Sequence, residues 1–339
     1  MPRESIKERE DEEERARAAA YTLGKELNDK QVEWLEMSLE NKAEESDAQT
    51  QLDIEEKKSQ ELISRLELLG YYQFQTDANA PSNWFRHLLG IIENFPNQSG
   101  YVASILMNSS GRLSSEQFSQ ANALWQKMAQ ERPEPNVLGN AGAFLIWRDL
   151  KEANRLLEQA HLLESDNVRW PSHLALFNFM TYKRTADESL KQEAAKMTVK
   201  YGEITLALGS HTPWLDLEHV GECALYLNDF EKAIKCAEDL ENLNIHKAHS
   251  QTANALRGLV FSRRHQPSLA VAALHKLEEG YGINSMTFKL AQELFNLGEI
   301  EAVKEFVRIY EAKLGRKRHL EWLEILETGK LPDFSQADF

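Results

Sequence analysis

Apolar residues recur at three- and four-residue spacing along most of the chain, the period of a helix with one buried face. Strand-type alternation is not sustained anywhere. In the stretch NAGAFLIWRDLKEANRLLEQAHLLESDN, Ala141, Phe144 and Leu145 fall on one face of a first helix. Ala153, Leu156, Leu157, Ala160 and Leu163 fall on one face of a second. Only Arg148 and Asp149 stand between the stripes, and Asp149 with Glu152 predicts a capping box that opens the second helix. So short a connection makes the two helices antiparallel neighbours, and the small residues Ala141 and Ala153 predict close backbone approach.

The pattern repeats. Gly221, Ala224, Asn228-Asp229-Phe230, Ala233, Ala237 and Leu240 reproduce it. Gly258, Phe261, Ala270, Leu274 and Leu277 do so again, with Pro267 at a helix start where its missing N–H costs nothing. A last copy is Ala291, Leu294, Gly298-Glu299-Ile300, Val303, Val307 and Tyr310, and residues 174–197 leave room for one more. Ala233 lies 37 residues before Ala270, and Ala270 lies 33 before Val303. Paired helices at this period predict an all-α fold, an α-solenoid of antiparallel helix pairs.

A Gly or Ala in the first helix, the Asn/Gly-Asp/Glu-aromatic/aliphatic turn and an early Ala in the second helix resemble the tetratricopeptide repeat. The resemblance is close over residues 137–165 and 217–243 and fair over 287–310. It weakens over 174–197 and 254–277, where the turns read Arg184-Thr185 and His265-Gln266. It covers about half of the chain. Residues 66–133, with LELLGYYQF and WFRHLLGIIENFP, resemble the lead-in of bacterial-type uncharacterised helical repeat proteins. The family implies a right-handed superhelix whose first helices line a concave groove for a peptide or helix.

By the periodicity, the exposed groove positions are Phe179, Tyr182, Glu218, Glu222, Tyr226, Leu259, Arg263, Phe288, Gln292 and Phe295. Aromatic anchors among acids suit a protein segment with apolar and basic residues. The same aromatics could instead pack against a neighbouring repeat. Some relatives clamp a chaperone's C-terminal carboxylate with cations in the groove. Glu218, Glu222, Ala255 and Leu259 at the comparable positions here disfavour that partner.

Ahead of the repeats, residues 1–60 form an acidic extension, with 18 Asp and Glu against 10 Lys and Arg. Glu8 to Arg17 is nearly all charged, which predicts a frayed helix or disorder. Val32, Leu35 and Leu39 share a helical face that Asn28 or Asp29 could cap. A helix from Gln51 carries Leu62, Leu66 and Leu69 and is expected to stop at Gly70. Ser82 is expected to cap the run Trp84, Leu88, Leu89 and Ile92, which Pro96 closes. Residues 97–113 are expected to form a loop, and Ser114 with Gln117 to form a capping box. The organisation expected is thus 1–60 acidic and helical or partly disordered, 61–134 a degenerate helical lead-in, 135–315 repeats and 316–339 a capping helix and tail.

Composition narrows function without naming it. The formal net charge of −15 opposes nucleic-acid binding. The compact basic stretches, Arg263-Arg264-His265 and Gly315-Arg316-Lys317-Arg318, are short. Two cysteines, no signal-type opening and no apolar run of membrane length suggest a reducing, cytoplasmic setting without membrane insertion. No phosphate-binding glycine loop, nucleophile elbow or CxxC pair is present. His219, Glu222 and Cys223 form the densest candidate metal cluster, His246 and His249 the other His pair, and surface or packing roles are favoured for both. The expectation is a non-enzymatic interaction scaffold or adaptor with no cofactor and no metal. In an alternative, the acidic N-terminal helices cover the groove until displaced. An uncapped solenoid end could also pair with a second copy.

Overall fold

The computed structural model describes residues 14–41, 51–243, 247–277, 285–314 and 317–334. Among them every regular element is a helix. The chain divides into two compact units, Met1–Ser165 and Asp166–Phe339.

The first unit holds α1 (14–23), α2 (Asp29–Asn41), α3 (Gln51–Tyr72), α4 (Ala80–Asn94), α5 (Gly100–Ser109), α6 (Ser115–Glu131), α7 (Pro135–Leu145) and α8 (Leu150–Leu163). Asn28 opens α2 through a reciprocal pair: Gln31 N–H donates to its side-chain oxygen at 3.1 Å, and its own N–H donates to Gln31 at 3.0 Å. Val32 and Leu35 then pack on Leu68 of α3, so the apolar face of α2 is buried within this unit. Residue 60 lies inside α3. Residues 1–13 of the acidic stretch lie outside the described residues, but Arg15 and Arg17 are within the helix α1.

Gly70 does not end α3, which continues to Tyr72. A Cβ at Gly70 would sit 2.1 Å from the carbonyl oxygen of Tyr21, and one at Gly24 would sit 2.0 Å from that of Glu67. The residue is glycine because two backbones cross there. Residues 97–113 are also not all loop, since Gly100–Ser109 is helical and buries Val102, Ala103 and Leu106. The flanking Ser, Asn and Gly hide it in the sequence. Glu14 supplies its start by accepting from the N–H of Tyr101. At α4 the acceptor is Asp77, bonded by the N–H groups of Asn79 and Ala80 at 2.9 Å, and not Ser82.

Ser114 and Gln117 form the full capping box expected of them. At α8 only half of one forms. Asp149 accepts from Glu152 N–H at 3.1 Å, but its own N–H is already bonded to the Leu145 carbonyl at 2.8 Å. With that donor used, the Glu152 carboxylate turns to Arg155 at 2.6 Å. The α7–α8 crossing is as close as the small residues require: a Cβ on Gly142 would meet the Ala153 carbonyl oxygen at 2.9 Å. Trp84 and Trp125 are buried, whereas Leu163 is exposed, contrary to its placement on the apolar stripe of the second helix.

The second unit is a stack of antiparallel pairs: α9 (Arg169–Arg184) with α10 (Glu188–Ala207), α11 (Pro213–Tyr226) with α12 (Phe230–Leu243), α13 (Lys247–Arg263) with α14 (Pro267–Lys276), and α15 (Ser285–Asn296) with α16 (Ile300–Leu314). A final helix, α17 (Lys317–Glu327), packs on α16. Each first helix touches the next first helix as well as its own partner, which makes this unit an α-solenoid. One apolar core runs through it, including Ala233, Leu256, Ala270, Leu290 and Val303.

Three of its turns are the same physical object. Asn228, His265 and Gly298 all have positive φ, at 62°, 56° and 90°. The next N–H in each turn reaches back five residues, Asp229 to Ala224 (2.9 Å), Gln266 to Phe261 (2.9 Å) and Glu299 to Leu294 (3.0 Å). This satisfies the last carbonyls of the first helix and reverses the chain at once. His265 therefore makes the turn of its neighbours despite its unusual identity. The α9–α10 turn is a different one, in which Asp187 accepts from Leu190 N–H at 3.0 Å.

The glycine crossing in the first unit is testable. Gly70→Ala must displace the Tyr21 backbone, and overpacking of this kind costs about 1–3 kcal/mol. The urea midpoint should fall and amides of residues 14–27 should exchange faster. Gly111→Ala, where a Cβ meets nothing within 4 Å, should change neither.

Candidate functional site

The first helices α9, α11, α13 and α15 make one side of the second unit, and all ten groove positions are on them. Gln292 is exposed, and Phe179, Glu218, Tyr226, Arg263 and Phe295 are half-buried. Tyr182, Glu222, Leu259 and Phe288 are buried, with Leu259 at 0% exposure. These four are therefore not open groove positions. The reason is that a first helix is covered by its partner and by first helices on both sides. Phe288 in particular lies under the C-terminal end, with ring centroids 5.4 Å from both Trp322 and Phe334.

The charges along this side neutralise one another. Lys183 Nζ is 2.8 Å from Glu222 Oε1, across 39 residues of chain. Arg263 holds Glu293 Oε1 through Nε at 3.1 Å and Nη2 at 3.0 Å, and donates through Nη1 to the Leu225 carbonyl at 2.9 Å. Lys289 is half-buried between these pairs, and burial draws its ammonium below the usual lysine range while Glu222 and Glu293 oppose that. Helical periodicity alone does not single out Lys183, Lys289 and Glu293. The available signal was opposite charges about one repeat apart on successive first helices. The expected open row of acids is thus an internally paired ladder.

Glu218 is the exception. It makes no salt bridge among the described residues, and burial, reinforced by nearby Glu222, raises its carboxyl to about 6. Beside it the ring of His219 stacks on Phe179 with centroids 3.8 Å apart. Burial, with Lys183 adding to it, lowers His219 to about 4. Tyr182 and Tyr226 meet edge to face at 5.2 Å, and Lys191 Nζ stands 5.5 Å and 5.6 Å from their centroids. The Tyr226 hydroxyl donates to Glu188.

His219, Glu222 and Cys223 do not assemble a metal site. The imidazole is stacked, the carboxylate is held by Lys183, and burial pushes the Cys223 thiol far above its ordinary value. No group of three or more His, Cys, Asp or Glu placed to hold a metal ion occurs among the described residues. Cys236 is also buried, its thiol raised to about 12. His249 lies against Trp214 at 5.0 Å, and His246 is outside the described residues. Of the basic stretches, Arg263 is spent on Glu293 and Arg264 lies over Phe230 at 5.4 Å, while 315–316 are outside the described residues. No described helix is long and apolar enough to cross a membrane.

No known family model and no curated protein matches the chain. Among solved structures it is similar to that of PilW, a widely conserved type IV pilus biogenesis factor. The TM-score is 0.41 and the identity 15%, covering 66% of this chain and 98% of that one. It is also similar to the human IFIT1 dimer with m7Gppp-AAAA, at a TM-score of 0.29 and 15% identity, covering 87% of this chain and 72% of that one. At TM-scores below 0.5 neither carries an argument about this protein, and its fold rests on its own helices.

The buried imidazoles make a prediction about acid. His219 at about 4 and His173 at about 3, the latter lowered by burial and then by Arg169, stay neutral in the fold while the unfolded chain protonates them near 6.5. Unfolding therefore takes up protons below pH 6.5, and stability present above that pH is lost as pH falls towards 4. Each such group contributes up to about 1.4 kcal/mol per pH unit. Glu218 acts in the opposite sense below about 6 and offsets part of this. The urea midpoint should drop between pH 7 and pH 5, and His219→Gln should drop less.

Proposed function

We propose that this protein is a non-catalytic scaffold or adaptor, which holds a segment of another protein along the first-helix side of the second unit. Phe179, Tyr226 and Phe295 are its partly open aromatic anchors, with Gln292 as an exposed polar neighbour. The observation that carries the reading is Glu218. A half-buried carboxylate that makes no salt bridge among the described residues and is raised to about 6, with Lys183 opposing that rise only in part, gains from a closer cation. A Lys or Arg of an incoming segment supplies that cation while its apolar residues cover the rings. Aromatic anchors with one desolvated charge pair are the usual source of binding energy in such contacts. The acidic N-terminal helices are not favoured as a removable cover, because α2 already buries its apolar face on α3.

The test compares proteins captured from native extract by the wild type, by Tyr226→Ala/Phe295→Ala and by Glu218→Gln. Leu269→Ser, an exposed change on α14, is the control. The same specific partner should be retained by the control and fall by about tenfold or more with the double variant. It should fall less with Glu218→Gln. A partner list that all four proteins share overturns the reading.

A further inference from the structure

The first unit contains a cleft of about 460 Å³ whose chemistry differs from that of the rest of the molecule. Its walls include Tyr21 from α1, Trp84 from α4, and Tyr101 and Asn108 from α5, with Arg112 beyond the end of α5. The chain has 54 acidic residues, yet among the described residues no carboxylate lines this cleft. Glu14, which α1 brings to the backbone of Tyr101, is engaged by that residue's N–H.

The groups left over are mainly donors. Arg112 is exposed and makes no salt bridge among the described residues. The indole N–H of Trp84 is buried and has no acceptor among the described residues, and Trp84 is one of the residues that line the cleft. An indole nitrogen can only donate, and a buried donor without an acceptor is costly. Tyr21 and Tyr101 meet edge to face with centroids 5.9 Å apart, and their hydroxyls make no hydrogen bond among the described residues. Asn108 already spends its amide N–H on the Ser104 carbonyl at 2.9 Å. Aromatic walls take a flat ring by stacking or edge contact, and a guanidinium takes a carboxylate or phosphate through paired N–H groups. The volume falls in the range of small-molecule sites.

We propose that this cleft binds a small molecule that joins a flat ring to one anionic group, the ring held among Tyr21, Trp84 and Tyr101 and the anion on Arg112. The site belongs to the first unit and is independent of the protein-binding role proposed for the second. Either a carboxylate or a phosphate meets the same donors.

The full chain should be titrated by calorimetry and ligand-observed NMR with naphthoate and naphthyl phosphate. Naphthamide and naphthol serve as the uncharged counterparts. At least one anion should bind with a Kd below about 1 mM, and its neutral counterpart should bind at least about tenfold more weakly. Arg112→Met, a change at an exposed side chain, should weaken the same anion by about tenfold or more while leaving the helical circular dichroism intact. Which anion binds distinguishes the carboxylate source from the phosphate source. No binding by either anion, a smaller preference over the neutral compound, or a smaller effect of Arg112→Met overturns the proposal.

Discussion

Helix backbones in this protein approach one another through side chains no larger than a methyl group, and the stacking of the second unit depends on it. A Cβ placed on Gly221 would lie 2.5 Å from Leu256 and 3.2 Å from Cys236. One on Gly258 would lie 2.4 Å from Leu290 and 3.2 Å from Ala273. In each case one neighbour belongs to the helix's own partner and the other to the next first helix. A single small position therefore sets the spacing within a pair and between pairs. Ala233 and Ala270 on the second helices, both fully buried, complete the same contact from the other side.

That closeness decides what the first-helix side can present. Flanked on three sides, these helices bury apolar residues that would be open in an isolated pair, as Leu259 and Phe288 show. Charges on the same helices are partly desolvated, and a desolvated charge needs a partner nearby. Lys183 with Glu222 and Arg263 with Glu293 meet that need across successive first helices. Such pairs add little net stability, but a slip of one helix against the next would break them, so they favour one register. Glu218 is on the same side and makes no salt bridge among the described residues, which is why it stands out from the other acids.

The helix pairs were legible because each carries its own period and its own turn. The turn at His265 shows the limit of that legibility. Its identity departs from the neighbouring Asn228 and Gly298, yet its backbone has the same positive φ and the same five-residue hydrogen bond. Asn, His and Gly tolerate that conformation, so the pattern lies in the backbone rather than in one residue type. Gly70 and α5 depart from the sequence pattern for a related reason. Glycine serves both as a helix stop and as a close crossing, and small polar residues appear both in loops and in short helices. The groove residues depended on contacts between repeats, which the period of a single helix does not contain.

Charge separates the two proposed binding surfaces further. A chain with a net charge of −15 attracts cations and repels anions over about a Debye length, some 8 Å at physiological ionic strength. A basic segment approaching the second unit is therefore helped by the protein's field, and added salt slows its association. An anion approaching Arg112 works against that field, and moderate salt screens the repulsion. The two surfaces thus respond to ionic strength in opposite senses on approach. For the proposed cleft, the ring must contribute what the field takes away, through contact with Tyr21, Trp84 and Tyr101.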